Sequence, residues 1–174
     1  MILYVMRHAE AVEASDSLQD EWRYLTEKGR ASVEKMSSRI AKYGPNTRLT
    51  ITSPLTRAVQ TAEIAASKAC RKNTVVSSEL LLPGADINEL AKHLKVCKDA
   101  KRVMLVGHEP QLGALVALLL GRTDEVVTLK KGSCVALKLD SFADGNPANF
   151  LWYLLPGEKR ITSFKKAFPQ SEPR

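Results

Sequence analysis

Two of the three histidines follow short apolar runs, and the residues beside them suit the binding of phosphate. His8 comes directly after Arg7, His108 follows a second apolar run, and a third leads into residues 53–57, which end in Arg57. Because side chains of a helix lean towards its N-terminus, Arg57, one turn into a helix, can reach the strand end before it. Two imidazoles, two guanidiniums and a helix N-terminus that converge on one point would bind a doubly charged oxyanion.

The same residues predict a reaction at phosphorus. A neutral imidazole is a nucleophile that can form a phosphohistidine intermediate, which water then hydrolyses. The arginines would spread the charge on the equatorial oxygens of an in-line transition state, and would lower the pKa of the nucleophilic histidine. The sequence has no Walker-type loop and no carboxylate cluster with the spacing of metal ligands. It therefore favours metal-free phosphoryl transfer, and no cofactor is expected.

Short β-rich runs alternate with longer helical patterns, which predicts an α/β fold around a mostly parallel sheet. Ligands of such sheets bind at the carboxyl ends of the strands, where the loops that carry these residues converge. The predicted strands are Ile2–Met6, Leu49–Thr52, Val75–Ser78 and Val103–Val106, followed by a hairpin of Ser133–Leu139 and Phe150–Leu155 with a turn at residues 144–147.

Capping residues mark where the predicted helices begin. Ser53 is the expected N-cap of one helix, with Pro54 in its first position, and the Ser53 hydroxyl can also face the phosphate. The predicted helices run from Thr26 to about Tyr43, from Ser53 to about Ala69, from Asp86 to about Leu94, and over Leu112–Leu120.

The length of 174 residues predicts one domain, and a composition of 44% hydrophobic and 26% charged residues is that of a globular protein. We expect a catalytic domain over residues 1–157 and a solvated basic tail over residues 158–174. The net charge of +7 favours anionic partners, but the sequence has no motif for nucleic acid. The apolar runs are too short to span a membrane. Three cysteines without a C-x-x-C pair predict reduced thiols and a cytoplasmic protein.

Four motifs, in order along the chain, resemble those of the histidine phosphatase superfamily. Residues 7–9 are similar to its R-H-G opening, with Ala9 in place of the glycine, and residues 25–29 to its L-T-x-x-G helix start. Residues 53–62 resemble S-P-x-x-R-A-x-Q-T-A, and residues 106–110 resemble the second-histidine motif. The resemblance implies a phosphoglycerate mutase-like fold of three α/β/α layers without a large cap insertion. The small size most resembles the SixA-like phosphohistidine phosphatases.

The resemblance also implies roles for the site residues. His8 would be the nucleophile, while Arg7, Arg57 and His108 would bind the phosphoryl group. His108 would in addition stabilise the transition state. The extra methyl group of Ala9 is tolerated beside the nucleophile if the φ angle of that residue is negative.

Two carboxylates are candidates for the general acid. Glu79 lies near the place of the glutamate that protonates an alkoxide in larger family members, and Asp86 is the second candidate. The alternatives are a solvated loop carboxylate for Glu79 and a helix N-cap for Asp86. An imidazole leaving group depends less on such an acid, because its P–N bond is weak. A nearby acidic stretch either rims the pocket or is solvated (Glu13, Asp16, Asp20 and Glu21).

We therefore expect a metal-independent hydrolase that dephosphorylates protein phosphohistidine through a covalent intermediate on His8. Two alternatives stay open: a broad phosphatase for small phosphate esters, and a catalytically weak phosphate-binding regulatory module. The expected partner is a phosphorylated protein or a small phosphate ester, with no nucleic acid and no membrane. The chain is expected to be a monomer or a weak dimer.

Overall fold

The computed structural model describes residues 1–69, 74–140 and 146–170. Within them, one mixed sheet contains the strands β1 (Ile2–Arg7), β2 (Leu49–Thr52), β3 (Thr74–Ser77), β4 (Arg102–Gly107), β5 (Cys134–Lys138) and β6 (Asn149–Leu154). Their order across the sheet is β3-β2-β4-β1-β5-β6. The first four strands are parallel, whereas β5 is antiparallel to β1 and β6 to β5. The predicted mostly parallel sheet is confirmed, and part of the predicted hairpin turn lies outside the described residues.

Helices cover both faces of this sheet. In the described ranges they are α1 (Glu27–Tyr43), α2 (Thr56–Ala69), α3 (Ile87–Val96), α4 (Gln111–Leu119) and the short α5 (Phe164–Ala167). Thr26 caps α1 by accepting the N–H of Gly29 at 2.9 Å, and Asp86 caps α3 by accepting the N–H of Asn88 at 2.8 Å, as expected. None of the helices described here is both long and apolar enough to cross a membrane.

The apolar run of β1 is explained by burial on both faces of the sheet. Leu3 and Val5 belong to a core that includes side chains of α3 and α4. Tyr4 and Met6 belong to a second core with side chains of α1 and α2. All four side chains are fully buried. A strand between two helical layers has no polar side, so the architecture is three-layer α/β/α.

The predicted start of the second helix is wrong by two residues. The structure begins α2 at Thr56 instead of at Ser53 and Pro54. The carbonyl oxygen of Leu55 accepts the N–H groups of the next turn, so Leu55 is the residue that precedes the helix. The Ser53 hydroxyl accepts the Leu55 N–H at 3.3 Å in a turn before the helix. This leaves Ser53 at the strand end, beside the predicted site.

The described part of the segment after residue 157 keeps its basic side chains exposed, but its apolar side chains pack on the rest of the domain. Ile161 pairs with Tyr153 of β6 in an antiparallel bridge. Phe168 is 5% exposed and stacks on Tyr153 with a centroid separation of 4.9 Å. Apolar residues within the basic segment therefore extend the core on the α3 and α4 side. Residues 171–174 lie outside the described ranges.

Candidate active site

Three neighbouring parallel strands bring the predicted site residues to one edge of the sheet. β1 ends at Arg7, which is in register with Gly107 at the end of β4. The N–H of His8 donates to the Gly107 carbonyl oxygen at 3.1 Å, and the N–H of Ser53 donates to that of Val106 at 2.9 Å. These main-chain bonds fix the strand ends relative to one another. The residues that follow the strands therefore leave the sheet side by side.

The two histidine rings lie against each other in a buried position. Their centroids are 5.0 Å apart at an angle of 55°, and the residues are 6% and 3% exposed for His8 and His108. Nδ1 of His8 lies 2.8 Å from the carbonyl oxygen of Ala9. Because a carbonyl oxygen only accepts, this contact assigns the proton of the neutral ring to Nδ1. Nε2 of His8 then keeps its lone pair.

Burial and positive neighbours keep both rings neutral near pH 7. The pKa of His8 is lowered from 6.5 to about 4, mainly by burial and further by Arg57 and Arg7, against the hydrogen bond to Ala9. The pKa of His108 is lowered to about 3, again mainly by burial and further by His8 and the two arginines. The predicted depression by cations is present, but desolvation is the larger cause.

Arg7 has an unused donor inside the site. Its Nη1 donates to the carbonyl oxygen of Leu129 at 2.8 Å, which ties the guanidinium to the segment before β5. Its Nε is buried and has no hydrogen-bond partner among the described residues. A buried N–H without a partner costs roughly 1–3 kcal/mol. A bound oxyanion would remove that cost, so the orphaned donor favours an anion ligand.

Arg57 is buried in the first turn of α2 and bonds to the acidic loop. Its Nη1 donates to the carbonyl oxygen of Asp20 at 2.6 Å, and its Nη2 donates to the Asp20 carboxylate at 2.9 Å. The acidic stretch therefore does more than remain solvated: one of its members contacts a predicted phosphate-binding arginine. The Asp20–Arg23 spacing of three residues indicates a local ion pair, but only the tertiary structure brings Arg57 to it.

The loop after β1 packs closely on α1 and α2. The N–H of Ala9 donates to Thr61 Oγ1 at 3.2 Å, and that hydroxyl donates to the Arg57 carbonyl oxygen at 2.7 Å. Ala9 is not among the positive-φ residues, so the condition for its methyl group to be tolerated is met. A Cβ at Gly29 would lie 2.1 Å from the Glu10 carbonyl oxygen. A glycine in the L-T-x-x-G segment thus permits this close approach.

Neither candidate general acid contacts the histidines or arginines through a hydrogen bond or an ion pair in the described part of the chain. Glu79 is exposed, in a 3₁₀ turn that follows the edge strand β3. Asp86 is exposed as the N-cap of α3. Sequence reasoning missed Glu109, the carboxylate that follows His108 and accepts the Gly113 N–H at 3.0 Å. Burial raises the pKa of Glu109.

Ser53 contacts the second histidine. Its Oγ lies 2.9 Å from Nε2 of His108, and both side chains are buried. The site therefore contains a neutral histidine with a free ring nitrogen, a second histidine held by a hydroxyl, and two guanidiniums. Among the residues that the structure describes, no three His, Cys, Asp or Glu side chains are grouped so as to hold a metal ion. This arrangement suits attack on a bound phosphoryl group.

Known proteins share the fold of this chain. A solved structure of the protein histidine phosphatase SixA, complexed with tungstate, matches with a TM-score of 0.78 and 23% identity, covering 90% of this chain and 97% of that one. The α-ribazole phosphatase from Shigella flexneri matches with a TM-score of 0.67 and 15% identity, covering 99% and 100% of the two chains. An uncharacterized protein of Picosynechococcus sp. (strain PCC 7002) is 36% identical over 141 residues, 79% of this chain and 85% of that protein.

The family model matches the part of the chain that holds most of the motifs. The model described as the histidine phosphatase superfamily (branch 1) covers residues 3–80, which include Arg7, His8 and Arg57. The second histidine follows in the order that the superfamily motifs have. The chain belongs to the histidine phosphatase superfamily.

Proposed function

We propose that the protein is a phosphohistidine phosphatase that acts on phosphohistidine of other proteins, with His8 as the nucleophile. The observation that carries this proposal is the state of His8. Its Nδ1 is bonded to the Ala9 carbonyl oxygen, its pKa is about 4, and its Nε2 is therefore unprotonated beside Arg7 and Arg57. A neutral ring between two fixed cations is ready to attack a phosphoryl group.

The reaction has two steps that balance without a metal or a cofactor. In the first, a bond forms between His8 Nε2 and phosphorus, and the P–N bond of the substrate breaks with its electron pair on the imidazole, which leaves neutral because its other nitrogen carries a proton. In the second, a water oxygen bonds to phosphorus, the bond between phosphorus and His8 Nε2 breaks with its electron pair back on His8, and the water protons leave with the inorganic phosphate or to solvent. Arg7, Arg57 and His108 would stabilise the negative charge on the phosphoryl oxygens. Ser53 would hold the His108 ring in place.

The surroundings of the site favour a protein substrate. The similar SixA structure is described as that of a protein histidine phosphatase and contains the oxyanion tungstate. Trp22 is 63% exposed and belongs to the same 3₁₀ turn as Asp20, which contacts Arg57. Exposed aromatic side chains are typical of contacts with other proteins. We place the reaction in the cytoplasm, since Cys97 and Cys134 are free thiols.

A phosphatase for small esters is the second candidate. The fold is also similar to that of α-ribazole phosphatase, which supports this alternative. Esters need a proton for the leaving alkoxide, and Glu79 is the acid that we propose for that case. A phosphate-binding regulatory module is the third candidate, and retained phosphate binding without turnover would identify it.

The decisive experiment is phosphate release from a phosphohistidine protein and from p-nitrophenyl phosphate, both with EDTA present. We expect fast release from the protein, slow release from the ester, and neither with His8→Ala. His93→Ala, which changes a histidine of α3, is the matched control and should keep both rates. Faster release from the ester, together with a loss in Glu79→Gln, would favour the small-ester phosphatase. Loss of activity with EDTA would contradict the metal-free reaction.

A further inference from the structure

The carboxylate of Asp20 contacts Arg57, one of the two arginines predicted to bind phosphate. It accepts Nη2 of Arg57 at 2.9 Å and Nη1 of Arg23 at 2.9 Å, one through each oxygen. The Arg57 side chain is 6% exposed, whereas that of Asp20 is 58% exposed. Asp20 is therefore the solvent-exposed partner of a buried arginine that is predicted to bind the phosphoryl group.

The loop that carries Asp20 is held at several points. Arg23 Nε donates to the Val12 carbonyl oxygen at 2.7 Å, and the Val12 N–H donates to the Tyr24 carbonyl oxygen at 2.9 Å. The backbone of Asp20 is fixed as well, because its carbonyl oxygen accepts Arg57 Nη1 at 2.6 Å. These hydrogen bonds fix the conformation of the loop, and with it the position of the Asp20 carboxylate.

Asp20 is ionised at neutral pH, and its charge reaches the site. Hydrogen bonds from Arg23 and then from Arg57 lower its pKa. Its charge also acts on His108, whose pKa it raises against the larger effect of burial. An ionised carboxylate has no proton to give to an alkoxide. It repels a dianionic phosphoryl group and any leaving group that becomes negative, and it attracts one that is positive.

We propose that Asp20 is a specificity-determining residue, which favours a positively charged imidazole leaving group over leaving groups that depart as anions. This inference rests on the proposed function, and it states which property of the substrate, the charge of its leaving group, the enzyme selects. A phosphohistidine ring protonated on its distal nitrogen carries a positive charge, and its N–H can donate to the carboxylate. As His8 Nε2 bonds to phosphorus, the P–N electron pair moves onto the ring, which leaves neutral with its distal proton in place. An ester develops negative charge on oxygen instead.

The test compares Asp20→Asn with Asp16→Asn, which removes an exposed acid from the same loop. The kcat/KM values are measured for a phosphohistidine protein and for p-nitrophenyl phosphate, and inorganic phosphate is measured as a competitive inhibitor. For Asp20→Asn we expect the ratio of ester to phosphohistidine kcat/KM to rise about tenfold, the size of a modest charge effect on a barrier. Phosphate should inhibit several-fold more strongly, because a repulsive charge is gone. Asp16→Asn should change each value less than twofold.

A second variant separates charge from folding. Asp20→Glu keeps the charge, and we expect its ratio of the two kcat/KM values to stay within about threefold of that of the unchanged protein. An unchanged ratio in Asp20→Asn, or an equal loss on both substrates, would overturn the inference. Wild-type protein that hydrolyses the ester but not phosphohistidine would instead overturn the proposed function. The phosphate inhibition constants still test the charge effect in that case.

Discussion

The hydroxyl of Ser53 and Nε2 of His108 lie 2.9 Å apart, although the residues are 55 positions apart in the chain. They come from the ends of β2 and β4, which are parallel neighbours. Ser53 is fully buried and His108 is 3% exposed, so water cannot easily replace this contact. The pair therefore fixes the orientation of the second histidine ring before any phosphate binds.

Removal of the Ser53 hydroxyl should reduce turnover more than folding stability. In Ser53→Ala, His108 loses a buried hydrogen bond worth about 1 kcal/mol, and its ring gains rotational freedom. We expect kcat to fall about tenfold, as for an oriented group that is displaced slightly. Steady-state kinetics measure kcat of the variant, and thermal unfolding measures its stability. Ser67→Ala, at an exposed serine of α2, is the matched control. A kcat equal to that of the control would show that Ser53 does not position the ring.

The protonation of the two buried histidines gives a second prediction. Because burial lowers the pKa of His8 to about 4 and that of His108 to about 3, neither ring should titrate between pH 8 and pH 5. NMR of the ring carbons, assigned with His8→Gln and His108→Gln, measures this directly. A midpoint near 6.5 for either ring would contradict the buried, neutral pair.

The same pKa shifts predict how stability depends on pH. Unfolded histidine has a pKa of about 6.5, so below that pH the unfolded chain binds more protons than the folded one. The free energy of unfolding should therefore fall as the pH falls from about 6.5 towards 4. Urea unfolding of the unchanged protein and of His108→Gln checks this, since the variant should show a weaker dependence over the same range.

Arg7 gives a prediction on oxyanion binding alone. Lysine keeps the charge but has neither the Nε donor nor the fork of a guanidinium. Hydrogen bonds to charged groups contribute about 1.5–3 kcal/mol, so Arg7→Lys should weaken tungstate binding about 10- to 100-fold in titration calorimetry. Arg30→Lys, on the exposed side of α1, should leave it unchanged. Equal tungstate affinity in Arg7→Lys would mean that the buried Nε does not face the anion.

The sequence predicts the sheet well because hydrophobic pattern decides it. β1 and β4 are apolar on both faces, and their bounds are predicted within one residue at each end. The convergence of Arg7, His8 and His108 follows from strand order alone, because parallel neighbours end at the same edge of the sheet. Local capping is similarly readable, as Thr26 shows.

Features that depend on tertiary contacts could not be read in this way. Serine before proline is typical of a helix N-cap, which is why the sequence predicts one at Ser53. In the structure its hydroxyl contacts Nε2 of His108 instead, and α2 begins at Thr56. Asp20 lies in a polar loop whose pattern is that of a solvated turn, and only the packing of α2 brings Arg57 to it. The burial of Phe168 could not be predicted, because the many charged residues around it in the sequence are typical of a solvated segment.

The C-terminal segment gives a prediction on stability. Phe168 is 5% exposed and stacks on Tyr153 at 4.9 Å, and Tyr153 donates in turn to Ser133 Oγ at 3.0 Å. A buried phenylalanine replaced by alanine costs about 3–5 kcal/mol in a protein core. We expect the lower value for Phe168→Ala, because the short helix α5 before it contains no buried residue and can rearrange.

Denaturant unfolding of Phe168→Ala compares this loss with that of Val96→Ala, a change at a side chain that is 76% exposed. The control should change the free energy of unfolding by less than about 0.5 kcal/mol. At 20 °C the activity of Phe168→Ala should stay within twofold, because Phe168 belongs to the core and has no contact with the histidines. A loss no larger than that of Val96→Ala would mean that the segment does not pack on β6 in solution. A large loss would show that residues beyond 157 are part of the folded domain, because a solvated tail has no buried surface to lose.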